Sequence, residues 1–300
     1  MCVRTSVRTC GKLLAMALVL CVGGCDAPSR QASQDQWQQS GNQQAWSILR
    51  NAQAQRLKRL STFSSSGQFT LRWYEGEKRQ WEQLDQRIWW QLPDRMAIRL
   101  STLGSRIALA GWNGRSWWVF DETREEIHLS IFSVTARGTG ENQLLSPPLL
   151  LCLAGLVPFP EKPPADLAVS SSGVVRFTLD PISVHVGKNP VSMELAARIE
   201  LDPAGPRSVE LLAGDGSVVA RSTLSKIMPV ECRGVAQGAW PNVPFRMHMV
   251  MPSETGKNSE ARLTLDRPFA GGEVPTTMFD LDQLVARIAP ASTSDQRSGR

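Results

Sequence analysis

Motifs that bring reactive or metal-binding groups together are missing from this sequence. Its 300 residues include three histidines, which stand far apart and show no metal-ligand spacing: His128, His185 and His248. The sequence contains no Gly-x-Ser-x-Gly elbow, no phosphate-binding glycine loop, no Ser-x-x-Lys and no Cys-x-x-Cys motif. We therefore predict that the protein is not an enzyme and that it uses neither a cofactor nor a metal.

A strong excess of positive charge is missing as well. The formal net charge of +5 falls to +2 when Arg4, Arg8 and Lys12 of the N-terminal segment are left out. A domain that binds nucleic acid normally presents a large basic surface. The charge therefore argues against a nucleic-acid partner.

The sequence has no apolar run as long as a membrane-spanning helix, and a short apolar run lies near the N-terminus. Leu13–Cys21 follows a basic start without acidic residues, and it has the length of a signal-peptide core, well short of a membrane-spanning helix. The next four residues, Val22-Gly23-Gly24-Cys25, resemble the bacterial lipobox, in which the cysteine receives a diacylglyceryl group. The resemblance implies a signal peptide at residues 1–24 and a lipid anchor at Cys25. An ordinary signal peptide cut elsewhere, or an uncleaved anchor, is the alternative.

This anchor predicts a location in the bacterial cell envelope, on the periplasmic side of a membrane. Asp26 follows the cysteine, and in some bacteria an aspartate there retains a lipoprotein in the inner membrane, so the choice between inner and outer membrane stays open. Residues 25–44 are rich in glutamine and serine, which is typical of a flexible tether.

Strand signals dominate the stretch from Gly67 to Ser130. Large apolar residues alternate with small or polar ones in Phe69–Trp73 and Met96–Leu100, as in strands with two unlike faces. Turn signals at Gly76, Gly104 and above all Asn113-Gly114 predict tight hairpins. We expect five or six antiparallel strands in a meander, with one face buried. Most of the tryptophans lie in these strands: Trp73, Trp81, Trp89, Trp90, Trp112, Trp117 and Trp118.

Three helical segments are predicted around the strands. Trp46–Leu60 is amphipathic, Leu149–Val157 is apolar on nearly every side, and Thr277–Ile288 closes the fold. More strands follow the apolar helix, with Asp215-Gly216 as the clearest hairpin turn. Since no glycine- or proline-rich linker separates the two sets of strands, we predict one domain over residues 45–289 and a polar tail over 290–300. The fold class is mainly β (α+β). Cys152 and Cys232 could form a disulfide or remain free thiols.

The order of these elements resembles the superfamily of periplasmic lipoprotein carriers and receptors that includes LolA, LolB and the mycobacterial LppX type. The resemblance is carried by the following segments: Leu57–Arg72, Leu92–Ala108, Asn113–Trp118 and Gly216–Ile227. It implies a curved antiparallel sheet that forms an unclosed β-barrel, with helices that cover an apolar cavity for acyl chains. The family's carrier is soluble, whereas this chain carries the predicted anchor, which is nearer to the receptor or the mycobacterial type.

The resemblance also implies which residues belong to the cavity. The expected lining consists of Phe69, Leu71, Trp73, Met96, Ile98, Leu100, Ile107 and Leu109. The expected lid is the apolar helix, through Leu149, Leu150, Leu153 and Leu156. The partners would be acyl chains of a lipid or a lipoprotein, in lipid or lipoprotein trafficking. Two other functions stay open: an envelope assembly factor that binds a protein partner, and a hydrolase whose site is not recognised.

Overall fold

A computed structural model describes residues 37–39, 43–103, 105–123, 125–133, 146–186, 189–192, 195–253 and 255–297. The helices are α1 (Gln43–Arg59), α2 (Pro147–Leu153) and α3 (Leu281–Ile288), and a 3₁₀ turn at Thr276–Phe279 precedes α3. The signal segment and Cys25 lie outside the described residues. Within the described part, no helix is both long and apolar enough to cross a membrane.

The strands of the first half are β1 (Trp37–Gln39), β2 (Thr62–Glu75), β3 (Lys78–Gln91), β4 (Arg95–Thr102), β5 (Ser105–Trp112), β6 (Ser116–Asp121) and β7 (His128–Ser133). Those of the second half are β8 (Ala168–Ser170), β9 (Val175–Leu179), β10 (Ser183–Val186), β11 (Asn189–Ser192), β12 (Ala196–Asp202), β13 (Gly205–Leu212), β14 (Val218–Pro229), β15 (Asn242–Met251), β16 (Ser259–Ala270) and β17 (Ser292–Gln296).

One sheet of 15 strands contains nearly all of these strands, and β10 and β11 pair separately. Its order is β1-β8-β9-β12-β13-β14-β15-β16-β2-β3-β4-β5-β6-β7-β17. The meander predicted over Gly67–Ser130 is confirmed as β2 to β7, and the second set of strands extends the same sheet through the β16–β2 pair. The sheet ends at β1 and β17, so it does not close on itself.

The contacts of α2 show how strongly the sheet curves. This helix contacts β13 on one side and β4 and β5 on the other. In the sheet order, β13 and β4 lie six strands apart, which is about 29 Å in a flat sheet. A helix of seven residues is only about 10 Å long. The sheet must therefore curl around α2, and the predicted fold class, a curved and unclosed sheet with covering helices, is confirmed.

Both faces of the meander are buried, whereas the sequence predicted one buried face. Trp90 and Trp117 point to the concave side and join the main core with α1 and α2. Their neighbours Trp89 and Trp118 point to the convex side and form a second core with Phe279 and Leu284. The 3₁₀ turn and α3 thus cover the convex face of this half of the sheet.

The ends of the chain add strands that the sequence did not predict. Trp37–Gln39, in the stretch predicted as tether, pairs with β8, and the guanidinium carbon of Arg176 lies 4.1 Å from the centre of the Trp37 ring. Ser292–Gln296, in the predicted polar tail, runs parallel to β7. Backbone hydrogen bonds to β8 and β7 place these two strands in the sheet, and such bonds do not depend on apolar alternation in the sequence.

Candidate functional site

An apolar crevice of about 330 Å³ lies between α1 and the segment that follows α2. Arg50, Ala54 and Leu57 face it from α1, at a spacing that places all three on one side of the helix. The β3–β4 turn, the end of β5 and the segment around α2 form the other walls. Their lining residues are Leu92, Pro93, Trp112, Pro148, Leu151, Cys152, Leu156, Val157, Pro158 and Phe159.

An aromatic cluster holds the wall of the crevice after α2. The rings of Trp46 and Phe159 stack with their centres 5.6 Å apart, and the ring of Phe177 packs edge-on at 5.0 Å from each. The indole N–H of Trp46 donates to the carbonyl oxygen of Pro160 over 3.1 Å. The start of α1 is therefore fixed to the chain segment that leaves α2.

Helix α2 is shorter than the predicted helix over Leu149–Val157. Gly155 adopts φ 67°, and the N–H of Leu156 donates to the carbonyl oxygen of Leu151 over 2.9 Å. These are the features of a Schellman C-cap, which favours glycine and reverses the chain. The helix ends at Leu153 for this reason, and Leu156 folds back beneath it.

Two side chains of α1 hold the C-terminal end of α2. The Gln53 amide donates to the carbonyl oxygens of Gly155 over 3.0 Å and Val157 over 2.8 Å. The Arg56 guanidinium donates through Nη1 to the carbonyl oxygen of Gly155 over 3.0 Å. The hydroxyl of Ser222 on β14 donates to the carbonyl oxygen of Leu153. We call Gln53, Arg56 and Ser222 the clamp, because they satisfy carbonyls that a helix end leaves free.

Burial of Arg56 has an electrostatic consequence. Removal of the guanidinium from water lowers its pKa to about 10. Nε donates to the carbonyl oxygen of Asn242 over 2.9 Å, whereas the buried Nη2 has no hydrogen-bond partner among the described residues. The charge is kept at neutral pH and faces an apolar interior.

Below the crevice, the concave side of the sheet is nearly filled. A second apolar site there leaves only about 20 Å³ free. Its walls come from β2, β3, β4, β15, β16 and the α2 segment, and Arg56 is its charged member: Arg56, Phe69, Ile88, Trp90, Met96, Ile98, Leu150, Leu151, Ala154, Leu156, Val243, Pro244, Met247, Leu263 and Leu265. Leu151 and Leu156 belong to both sites and form the wall between them.

The structure brings part of the predicted cavity lining together. Phe69, Met96 and Ile98 line the inner site, and Leu100 is buried in the same core. Leu71 and Ile107 pack at the margin of that core. Trp73 is half-buried near the end of β2.

The prediction that Leu109 lines this cavity is wrong. Leu109 pairs with Arg99 across the β4–β5 ladder and lies in the convex core. Leu100 pairs with Ala108 and Ser101 with Arg106, so Ile107 is an extra residue that interrupts the alternation on β5. A sequence read with a strict period of two places Ile107 and Leu109 on one face, and the bulge separates them.

The predicted lid residues all lie in or next to α2. Leu149, Leu150, Leu153 and Leu156 are buried. Leu150 and Leu156 face the inner site. In this structure their side chains fill the concave side of the sheet, where an acyl chain was predicted to bind.

The sequence did not single out the polar residues of this region. Gln53 and Arg56 sit in α1 three positions apart, and their residue types suggested a solvated face. Gln53 is only 6% exposed. Its burial could have been inferred from helical spacing alone, because Gln53 lies on the same side of α1 as Trp46 and Leu57.

The described cysteines and histidines form no metal cluster. Cys152 and Cys232 are both buried free thiols, and burial raises the pKa of Cys152 to about 12. His128 Nδ1 lies 2.8 Å from the hydroxyl of Ser292, and His248 Nε2 lies 3.5 Å from a carboxylate oxygen of Glu260. Within the described ranges, no three histidine, cysteine or carboxylate side chains are placed to share an ion.

Comparison with known proteins finds similarity in solved structures alone. No protein-family model matches the chain, and no curated protein sequence matches it. A LolA superfamily protein from Nitrosomonas europaea aligns with 77% of this chain and 97% of its own, at 11% identity and a TM-score of 0.46. A DUF1329 family protein from Desulfovibrio piger aligns over 79% and 98%, at 8% identity and a TM-score of 0.47.

A third solved structure is a putative outer membrane lipoprotein-sorting protein domain from Vibrio parahaemolyticus. It aligns with 78% of this chain and 97% of its own, at 11% identity and a TM-score of 0.45. Of these three solved structures, the one from Nitrosomonas europaea is described as a LolA superfamily protein.

Proposed function

We propose that this protein binds an acyl chain of a lipid or lipoprotein in the crevice between α1 and α2, as part of lipid or lipoprotein trafficking in the cell envelope. The observation that carries the proposal is the crevice itself, about 330 Å³ in volume and lined almost wholly by apolar side chains. Small-molecule sites typically measure about 300–1,000 Å³. The crevice is therefore large enough for part of a chain.

The energetics of an acyl chain suit such a site. Each methylene moved out of water contributes about 0.8 kcal/mol, so several methylenes bind without any specific polar contact. Binding of this kind requires no reacting group, and the proposal assigns no catalysis to the protein.

The clamp supplies a way to enlarge the site. The leucines of α2 fill the concavity, and polar contacts to three carbonyl groups, those of Leu153, Gly155 and Val157, hold the end of this segment in place. If the clamp loosens, Leu150 and Leu156 can leave the inner site, and a chain in the crevice can extend into it. Since Leu151 and Leu156 are the wall between the two sites, the path is short.

The proposal includes the predicted anchor. A diacylglyceryl group on Cys25 would hold the protein at the periplasmic side of a bacterial membrane, near the lipids that it binds. An N-terminal peptide whose mass includes a diacylglyceryl group on Cys25 would support the anchor, whereas an unmodified mature N-terminus would contradict it.

Binding is tested with the mature chain, residues 25–300, carrying Cys25→Ala so that it has no acyl group of its own. We expect lipid to be extracted from protein purified without detergent, and a fluorescent fatty acid to be taken up. Ala54→Trp fills the crevice and should abolish uptake. Ala52→Trp is the matched control, because Ala52 is exposed two residues away and does not line the crevice. Repeated preparations without lipid and without uptake would refute the proposal.

A protein partner is the second candidate, favoured by the shape of β3. Pairing with β4 begins at Asp85, so Lys78–Leu84 has no strand on that side among the described residues. Trp81 in this segment is 67% exposed. A free strand edge with an exposed aromatic side chain can accept a strand from another protein. A stoichiometric protein recovered with the lipid-free chain would favour this candidate.

A further inference from the structure

The crevice contains a buried hydrogen-bond donor that the protein itself does not use. Trp112 lines the crevice and is only 1% exposed. Its indole Nε1 is buried and has no hydrogen-bond partner in the described part of the chain. Buried polar groups in folded proteins are nearly always hydrogen-bonded. An unused donor in the wall of a cavity therefore points to an acceptor supplied by a ligand.

A cation lies in the same wall. Arg50 is the charged residue among those that line the crevice, and its side chain is half-buried. Within the described ranges it forms neither an ion pair nor a hydrogen bond, and no aspartate or glutamate lines the crevice. A guanidinium in such surroundings binds a carboxylate or a phosphate through charge-assisted hydrogen bonds.

We propose that the ligand is an anionic amphiphile whose oxygen-bearing head binds to these two donors. Arg50 binds a carboxylate or phosphate group, and the indole N–H of Trp112 donates to a carboxyl or ester oxygen. The remaining lining, which is apolar, contacts the chain. This inference rests on the proposed function and adds the chemistry of the head to it.

The geometry favours a charged head over a neutral one. A neutral hydrocarbon in the crevice would shield Arg50 from water without giving it a partner, which is unfavourable. A carboxylate or phosphate group satisfies Arg50 and offers a further oxygen to Trp112. Carboxylates of free fatty acids and phosphates of phospholipids share this chemistry, and the experiment separates them.

The test is calorimetric titration of the mature chain, residues 25–300 with Cys25→Ala, with ligands delivered from cyclodextrin. The ligands are oleate, 1-oleoyl-lysophosphatidylglycerol, methyl oleate and oleyl alcohol. We expect the tighter of the two anionic ligands to bind at least about tenfold more tightly than oleyl alcohol. Whichever of the two binds more tightly identifies the source of the anion.

Variants assign the effect to the two side chains. Arg50→Gln should remove the preference for the anionic head, and Arg50→Lys should keep most of it. Trp112→Phe should weaken the binding of oleate and of methyl oleate by about fivefold. Trp118→Phe is the matched control, since Trp118 also has a buried, unpaired Nε1 but lies in the convex core.

Two outcomes would overturn the inference, and they are distinguishable. If neither oleate nor 1-oleoyl-lysophosphatidylglycerol binds the wild type more tightly than oleyl alcohol does, and Arg50→Gln changes none of these affinities, the assignment of the head is wrong while acyl binding stands. If the wild type binds none of the four ligands, the proposed function fails together with the inference. An equal loss in Trp112→Phe and Trp118→Phe would contradict the role of Trp112.

Discussion

The guanidinium of Arg56 and the carbonyl oxygen of Gly155 are 3.0 Å apart, although 99 residues separate them in the chain. This hydrogen bond joins α1 to the end of α2. Gln53 donates to the same carbonyl oxygen, so this oxygen accepts hydrogen bonds from two side chains. The position of α2 in the concavity therefore depends on α1, and changes in α1 should alter access to the inner site.

Gln53→Leu should loosen this connection. The substitution removes both amide donations and leaves the carbonyl oxygen of Val157 without its side-chain partner. An unsatisfied buried carbonyl costs about 1–3 kcal/mol, so urea denaturation should show a loss of that size. Uptake of a fluorescent fatty acid, followed by stopped flow, should become faster. Gln55→Leu, at an exposed position of the same helix, should change neither quantity.

Stability should fall as the pH rises from 9 to 10, because of Cys152. Its pKa is about 12 in the fold and 9.0 in the unfolded chain. In this interval the folded state keeps a proton that the unfolded state loses, so the free energy of unfolding decreases by about 1 kcal/mol. Urea denaturation of the wild type and of Cys152→Ala at both pH values measures the difference. Identical pH dependence in the two proteins would contradict the assignment.

Arg56 limits the interval in which this effect is visible. Burial lowers its pKa to about 10 in the fold, below the ordinary value of an arginine in the unfolded chain. As the pH approaches and passes 10, the unfolded chain therefore binds more protons at this residue, and Arg56 makes the free energy of unfolding larger. The two contributions oppose each other there, which is why the comparison ends at pH 10.

Gly67→Ala should be strongly destabilising. Gly67 lies in β2 with φ 151°, and a Cβ at this position would sit 1.9 Å from the carbonyl oxygen of Thr264 on β16. The β2–β16 pair joins the two halves of the sheet, so the clash cannot be relieved without moving them apart. We expect a loss of at least about 3 kcal/mol by urea denaturation. Gly76→Ala, where nothing lies within 4 Å of the added Cβ and φ is 61°, should cost only about 1 kcal/mol. Equal losses in the two variants would contradict this reading.

Local signals in the sequence were enough to predict most of the elements. Asn113-Gly114 and Asp215-Gly216 lie between the strands that they were expected to connect, and Gly114 and Gly216 adopt φ of 82° and 81°. Amphipathic spacing predicted α1, and the apolar residues of Leu149–Val157 predicted a helix that overlaps α2. Each of these signals depends on neighbouring residues, and tertiary contacts did not override them.

Pairing between distant segments could not be predicted in the same way. A strand period shows that Trp89 and Trp90 face opposite sides, but it does not show that Phe279 and Leu284 cover the convex one. Gln53 donates to carbonyl groups more than 100 residues away, and its residue type is that of a surface position. The sequence does not show which backbone oxygens will lie within hydrogen-bonding distance of Gln53, so its burial could not be predicted.

The residues of the candidate site were also hard to predict, because the site depends on contacts between distant segments. Phe69, Met96 and Ile98 lie together at the inner site, whereas Leu109 lies in the convex core because of the bulge at Ile107, which is not visible in the sequence. Arg50 and Trp112 belong to elements that are far apart in the chain, and only the fold places them in one crevice.

The central claim is that an acyl chain occupies the crevice between α1 and α2, and photo-crosslinking tests it most directly. The mature chain is irradiated with a fatty acid that carries a diazirine in its chain, digested, and analysed by mass spectrometry. We predict labelled peptides from Arg50–Leu57 and Leu151–Phe159, displaced by excess oleate, lost in Ala54→Trp and kept in Ala52→Trp. Labelling confined to other surfaces, or no displaceable labelling, would contradict the account.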